Sequence, residues 1–318
     1  MKYKTVYLAL LLSTSSSFAA DVLMKEKAIF VDQFAITPYT ESSSNIEKTN
    51  VKREALSTIS TTPDGSQYIN LATDEDLRIF KSALDKVRTS ALTEQELSAL
   101  VGYMPGSPVE ENEITPSNVH GSDGRTRVQY TTVSPYRNIG RISSGCTGVL
   151  VGPKHVLTAG HCIAPGNGTW INNLTFSAGQ NGYSKPFGTQ SYTRVLTTPG
   201  WFYDSDPSLD YGMIILKSAP HNGWNGYGIY AGNGTYTVTG YPSDKPFGQM
   251  WGMSGRTTSD TSHIYYSLDT YGGQSGSGIM DSGNNVRGIH AYGSANQNFG
   301  TKIDLTIFNK IKEWVASY

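Results

Sequence analysis

The rhythm of apolar and polar positions changes twice along the chain. Near its start the apolar run Val6 to Leu12 follows Lys2 and Lys4 and gives way to Ser17-Phe18-Ala19-Ala20-Asp21. A cationic lead, a short apolar stretch and small residues at Ser17 and Ala19 predict an export signal over residues 1–19, cut after Ala19. The run is too short to span a bilayer. Residues 20–72 show little periodicity and much Ser and Thr, and read as poorly structured. Helical spacing then begins. Thr73-Asp74-Glu75-Asp76 has the character of a helix start, and Leu77, Phe80, Leu84 and Val87 follow on one face. Thr93-Glu94-Gln95-Glu96 is a capping box with Leu97, Leu100 and Val101 behind it. The segment from Gly102 to Ser117 holds Pro105, Pro108, Pro116 and the acids Glu110, Glu111 and Glu113. It reads as an exposed linker, where proteolytic cleavage concentrates.

From about Val119 the period shortens. Apolar or β-branched runs alternate with Gly, Pro and Asn turns: Thr147–Val151, His155–Thr158, Tyr192–Leu196, Tyr211–Leu216, Thr235–Tyr241, His263–Leu268 and Val286–Ala291. That spacing predicts an all-β sandwich or barrel. At the end, Ile307, Ile311, Trp314 and Val315 return to helical spacing and predict a closing helix over Thr306 to Tyr318. No solenoid repeat is visible.

Composition agrees with turn-rich β structure: 34 glycines and 20 tyrosines in 318 residues, with 16% charged. A net charge of −1 offers nothing to a polyanion, so no nucleic-acid partner is expected. The balance is uneven, with 16 acidic and 9 basic residues over 20–117 against 10 and 14 over 118–318. An acidic front half and a basic back half can attract each other, as a propeptide and its enzyme would. No later segment reaches membrane length. The expectation is a secreted or periplasmic protein with no membrane anchor, taken as a monomer by default.

Export permits a disulfide. The two cysteines, Cys146 and Cys162, would close a loop of about 15 residues, worth roughly 3 kcal/mol in the chain-entropy model. The bridge would tie the strand carrying Cys146 to the loop bearing His161. Neither the cysteines nor the histidines have zinc spacing, and no acidic loop has calcium spacing. No metal or cofactor is expected.

Three segments carry chemistry. Thr158-Ala159-Gly160-His161-Cys162 offers a histidine base. Gly272-Gly273-Gln274-Ser275-Gly276-Ser277-Gly278 offers a serine in a glycine-rich turn, where backbone N–H groups can converge on a developing oxyanion. Leu209-Asp210-Tyr211-Gly212 places a carboxylate at the head of an apolar strand, where it can hold the imidazole tautomer. Ser277 is the rival serine. Asp206 is the rival acid, but it precedes Pro207 and no apolar strand follows. His155, His221 and His263 lack such a context and read as surface or turn residues.

From Val119 onward the chain resembles the chymotrypsin-fold serine proteases, and among them the bacterial glutamyl endopeptidases. The carriers are Gly121-Ser122-Asp123-Gly124-Arg125-Thr126-Arg127-Val128, Ser144-Gly145-Cys146-Thr147-Gly148, Thr158–Cys162, Thr198-Pro199-Gly200-Trp201, Leu209–Leu216, Asp269–Ser277 and Gly288-Ile289-His290. The resemblance implies two packed antiparallel β-barrels with a C-terminal helix, preceded by a partly helical propeptide over 20–117. The protease domain would be 118–318, its mature start near Asn118 or Val119. It implies a secreted serine endopeptidase acting on proteins or peptides through an acyl-enzyme. His161 would be general base then acid, Asp210 its orienting carboxylate and Ser275 the nucleophile. The N–H groups of Gly273 and Ser275 would form the oxyanion hole.

The resemblance also implies cleavage after Glu, and more weakly Asp, with Thr270, His290 and the Val119 α-amine meeting the substrate carboxylate. A protonated histidine would add positive charge. Asp269 supports an alternative. It lies six residues before Ser275, where trypsin-like enzymes place the acid that binds Arg or Lys. A third reading is a catalytically inactive protease-fold binding module, although all three triad positions are filled. Two positions depart from the pattern. Gly278 replaces a usual proline, which would loosen the turn. Gln274 replaces the aspartate that trypsin-type activation pairs with a new N-terminus.

Overall fold

Part of the stretch expected to lack structure folds onto the rest of the chain. The computed structural model describes residues 29–30, 53–89, 118–293 and 297–318. The export signal, the second capping-box helix and the linker lie outside these. Strand β1 (Ile29–Phe30) pairs with β3 (Gln67–Asn70), which pairs with β2 (Thr58–Thr61). The turn between β2 and β3 is Thr62-Pro63-Asp64-Gly65-Ser66. Gly65 N donates to Thr62 O at 2.9 Å, and Thr62 N donates to Ser66 O at 3.0 Å. Pro-Asp-Gly is a turn signature that could have flagged this hairpin. The strands themselves carry no alternation, because β2 is buried on both faces and its partner on the other side is distant in sequence.

Helix α1 (Arg53–Leu56) leads into β2, and α2 (Asp74–Thr89) follows β3. The expected start of α2 is present. Thr73 N donates to Asp76 Oδ2 at 2.8 Å and Asp76 N donates to Thr73 Oγ1 at 3.2 Å, a reciprocal cap. Phe80 and Leu77 pack with Leu56, Ala72 and Leu305.

Residues from 126 onward build two closed barrels. After β4 (Thr126–Val128) come β5 (Ile139–Ile142), β6 (Thr147–Leu150), β7 (His155–Thr158), β8 (Thr175–Ala178), β9 (Gln190–Thr197) and β10 (Gly212–Leu216). These six run in the order β9-β10-β7-β6-β5-β8, and β8 closes onto β9. The second barrel uses β11 (Thr235–Gly240), β12 (Met250–Ser259), β13 (His263–Tyr266), β14 (Gly278–Met280), β15 (Val286–Gly293) and β16 (Asn298–Lys302). Its order is β11-β14-β15-β16-β13-β12, closed by β11 on β12, with β4 added at one end of β12.

β10 reads Gly-Met-Ile-Ile-Leu and is buried throughout. One face fills the first barrel. Just before β10, the Tyr211 ring lies 5.5 Å from the Trp314 ring of helix α4 (Leu305–Ser317), the short helix Pro199–Asp204 being α3. α4 is capped by Asp304, which accepts from Ile307 N at 2.8 Å, and buries Ile307, Ile311 and Trp314. Each such side chain is worth about 1.5–3 kcal/mol on burial. The expected strand starts mostly hold. The expected runs omit β4, β5, β8, β12, β14 and β16; in β12 and β16 glycines and polar residues hide a strand pattern, and neighbours on both sides hold them. His155 is a correction: it is buried inside β7, not on the surface. His221 and His263 are half-buried and bond the Arg137 and Pro207 carbonyls at 2.9 and 3.3 Å.

Candidate active site

β7 ends at Thr158, and a tight turn, Gly160–Cys162, swings His161 out between the barrels. Asp210 comes from the turn that enters β10 and is fully buried. Its Oδ1 accepts His161 N at 2.8 Å and its Oδ2 meets His161 Nδ1 at 2.7 Å. This pair fixes the proton on Nδ1 and leaves Nε2 as the basic nitrogen. Burial opposes charge on the imidazole, but the Asp210 carboxylate outweighs it and holds the His161 pKa above the usual imidazole value.

The Ser275 turn belongs to the second barrel but is held by the first. Thr147 of β6 donates its N–H to Ser275 O at 2.9 Å and its hydroxyl to Gly273 O at 2.8 Å. Two positions in the turn require glycine. A Cβ on Gly276, at φ +85°, would lie 2.1 Å from Thr147 O, and one on Gly273, at φ +99°, 2.5 Å from Tyr241 O. The Gly272 carbonyl accepts from Ser243 N at 2.7 Å, and the Gln274 carbonyl from Ser277 N at 2.9 Å. In trans peptides the following N–H points the opposite way. The N–H groups of Gly273 and Ser275 therefore face away from those partners, and neither donates to another group among the described residues. Ser275 Oγ donates to the Ala291 carbonyl at 3.3 Å. It must turn from there to reach the imidazole.

Cys146 and Cys162 are joined, as expected. Cys162 Sγ lies 3.5 Å from Ser275 O, so the bridge seats the histidine turn against the serine turn.

Of the specificity candidates, Asp269, Thr270 and His290 are buried. Both Asp269 carboxylate oxygens are engaged by backbone: Oδ1 accepts His120 N and Oδ2 accepts Gly124 N, each at 2.7 Å. Thr270 N donates to Asn118 O at 3.2 Å, while the buried Thr270 hydroxyl has no partner. Val119 follows directly and is half-buried. His290 is fully buried, with Nδ1 2.5 Å from the Tyr266 hydroxyl. Burial and the neighbouring His161 push its pKa down to about 3. That shift favours the neutral ring, so a positive charge on His290 would need an anion beside it.

A profile of the trypsin-like peptidase domain matches residues 146–289. Over 221 residues the chain is 40% identical to a Bacillus licheniformis protein named glutamyl endopeptidase, covering 63% of this chain and 70% of that one. The chain belongs to the trypsin-like serine peptidases. A Bacillus subtilis protein named extracellular metalloprotease is 38% identical over 221 residues, covering 63% of this chain and 71% of that one. A solved Glu endopeptidase structure superposes with a TM-score of 0.60 at 30% identity, covering 63% of this chain and all of that one. The metal in the second name finds a poor donor set here. Among the described residues one group has ligand spacing, Cys146, His161 and Cys162, and its sulfurs are tied in the disulfide rather than free as thiolates.

In this peptidase the rivals take local roles. Asp206 accepts Ser208 N at 3.0 Å as a turn cap, and Ser277 is buried behind the loop. Gly278 opens β14 in register with Ile289. The sequence reading did not assign Tyr292 and Trp201 to the site. Their rings lie 5.6 and 6.2 Å from the His161 ring. Trp201 closes the Thr198-Pro199-Gly200-Trp201 segment; Tyr292 carries no sequence signal beyond following His290. Among the described residues no helix is long and apolar enough to cross a membrane.

Proposed function

We propose that this serine peptidase cleaves after Glu, and more slowly after Asp, and that it is exported as a zymogen. His161 takes the Ser275 hydroxyl proton as Oγ attacks the scissile carbonyl, then passes it to the leaving amine. Asp210 holds the tautomer and stabilises the imidazolium. The Gly273 and Ser275 N–H groups receive the oxyanion. Water then attacks the acyl-enzyme by the same route.

One observation carries the specificity: the Asp269 carboxylate is consumed by two backbone donors while the adjacent Thr270 hydroxyl is buried and unpartnered. A pocket without a free carboxylate and with an open hydroxyl suits an acidic side chain. His290 adds its ring, and a substrate carboxylate beside it would favour its protonation. The hydrogen bond from Thr270 N to the Asn118 carbonyl supports a part for the proposed new N-terminus in this site. Residues 20–117 act as propeptide after removal of the signal over 1–19, and 118–318 are the enzyme. The test is a cleavage profile of the processed protein on a mixed peptide library. Cuts after Glu support the reading; cuts after Arg or Lys sink it.

A further inference from the structure

Gln274 leaves the Ser275 turn without the acid that a new N-terminus pairs with in trypsin-type enzymes, and the structure puts a buried guanidinium in its place. Arg125 has a fully buried side chain. Its Nη1 donates to Gln274 Oε1 at 3.2 Å and to Asp244 Oδ1 at 3.1 Å. Its Nε and Nη2 donate to Asp123 at 2.9 and 2.8 Å, and Nη2 also reaches Asp244 Oδ2. Lys245 Nζ donates to Asp123 at 2.6 Å, so the two carboxylates face two cations.

The network ends on both sides of the oxyanion donors. On one side, Gln274 Oε1 also accepts Tyr271 N at 3.1 Å, and Gln274 N donates back to Tyr271 O at 3.0 Å. Two donors converge on that oxygen, which fixes the amide orientation. On the other side, Asp244 sits next to Ser243, whose N–H binds the Gly272 carbonyl and so turns the Gly273 N–H outward.

We propose that Arg125 is a positioning residue for the Ser275 turn: through Gln274 and Asp244 it holds the Gly273 and Ser275 N–H groups in their catalytic orientation. Arg fits the task because one planar fork must satisfy three acceptors at once. The same residue lies in the segment that starts at Asn118, whose carbonyl takes Thr270 N and Asn298 Nδ2. Docking of that segment therefore delivers the guanidinium to the turn. The inference rests on the proposed roles of Ser275 and its oxyanion donors.

The experiment compares Arg125→Met, Gln274→Leu and the double variant, each processed by tagged wild-type enzyme that is then removed. Active sites are counted with a serine-directed phosphonate, and kcat, KM and Tm are measured. Displaced oxyanion donors should lower kcat roughly ten- to a hundredfold, with KM within about threefold because ground-state binding is spared. The double variant should match the worse single one, since both cut one path. A lower Tm with kcat per titrated site unchanged makes Arg125 merely structural and overturns the proposal. If Arg125→Met does not fold, Gln274→Leu decides by the same criterion. If wild-type Ser275 is not labelled at all, the site reading fails first and this inference falls with it.

Discussion

Asp269 and His161 show how single contacts decide chemistry. Asp269 stands where a basic-specific pocket would want its acid, yet both its oxygens accept backbone N–H groups from the 120–124 segment. Asp269→Asn should leave cleavage preference unchanged and cost about 1–3 kcal/mol of stability, the range for a lost buried hydrogen bond to a charged group. Library profiling and thermal melts check both halves; an altered preference for Arg or Lys would refute this placement. His161 is raised by Asp210, so the imidazole stays protonated, and useless as a base, to a higher pH than usual. The acid limb of kcat/KM should lie above pH ~6.5. His290, at about 3, stays neutral throughout that range. The linkage runs the other way for folding: a raised pKa stabilises fully below the unfolded value and is lost as pH rises through the folded one. Asp210→Asn should drop the His161 pKa, read by NMR titration, and lower kcat by about 10⁴.

Among the elements, the hairpin of β2 and β3 extends the first barrel rather than lying over it. Ile59, Ser60 and Thr61 pair with Thr197, Leu196 and Val195 of β9. Arg194 donates to Ser60 Oγ at 3.0 Å and lies 4.5 Å over the Tyr68 ring. From α4, Lys310 Nζ donates to Leu56 O and to Glu313, each at 2.6 Å, and Trp314 Nε1 to Thr58 Oγ1 at 2.9 Å. Lys310→Met would strand the Leu56 carbonyl, so the uncleaved Ser275→Ala chain should lose about 1–3 kcal/mol. In the processed enzyme, with the hairpin gone, the same change should stay within about 0.5 kcal/mol. Melts of the two forms, with and without the substitution, measure the difference; equal losses would mean Lys310 serves the barrel instead. Beyond its Pro63-Asp64-Gly65 turn this hairpin was not legible, because its strand signal depends on β9, far away in sequence. By contrast α2, α4, β7 and β10 announced themselves through local periodicity and caps. The same divide runs through the site. His161, Asp210 and Ser275 stood in short distinctive segments, whereas Tyr292 and the buried Arg125 gain meaning only from the closure of the second barrel around them.

The whole chain joins an acidic front to a basic enzyme, with 16 acids and 9 bases over 20–117 against 10 and 14 over 118–318. Such attraction is screened by salt, but the strand pairing and the Lys310 hook are not, so a cut front segment should leave slowly. The proposed maturation cuts it first. Glu110, Glu111 and Glu113 precede Asn118 in the sequence and match the proposed preference for Glu. Self-processing follows if the proposed specificity holds: the first cut falls after one of these acids, and trimming then exposes Asn118 or Val119. Ser275→Ala, made in a protease-free host, should keep its linker intact, while the wild-type chain is processed. Traces of processed wild-type enzyme should then convert the inert chain at the same glutamates, read by N-terminal sequencing. An inert chain that matures unaided to the wild-type N-terminus would assign the step to another protease and uncouple activation from the Thr270 and His290 pocket.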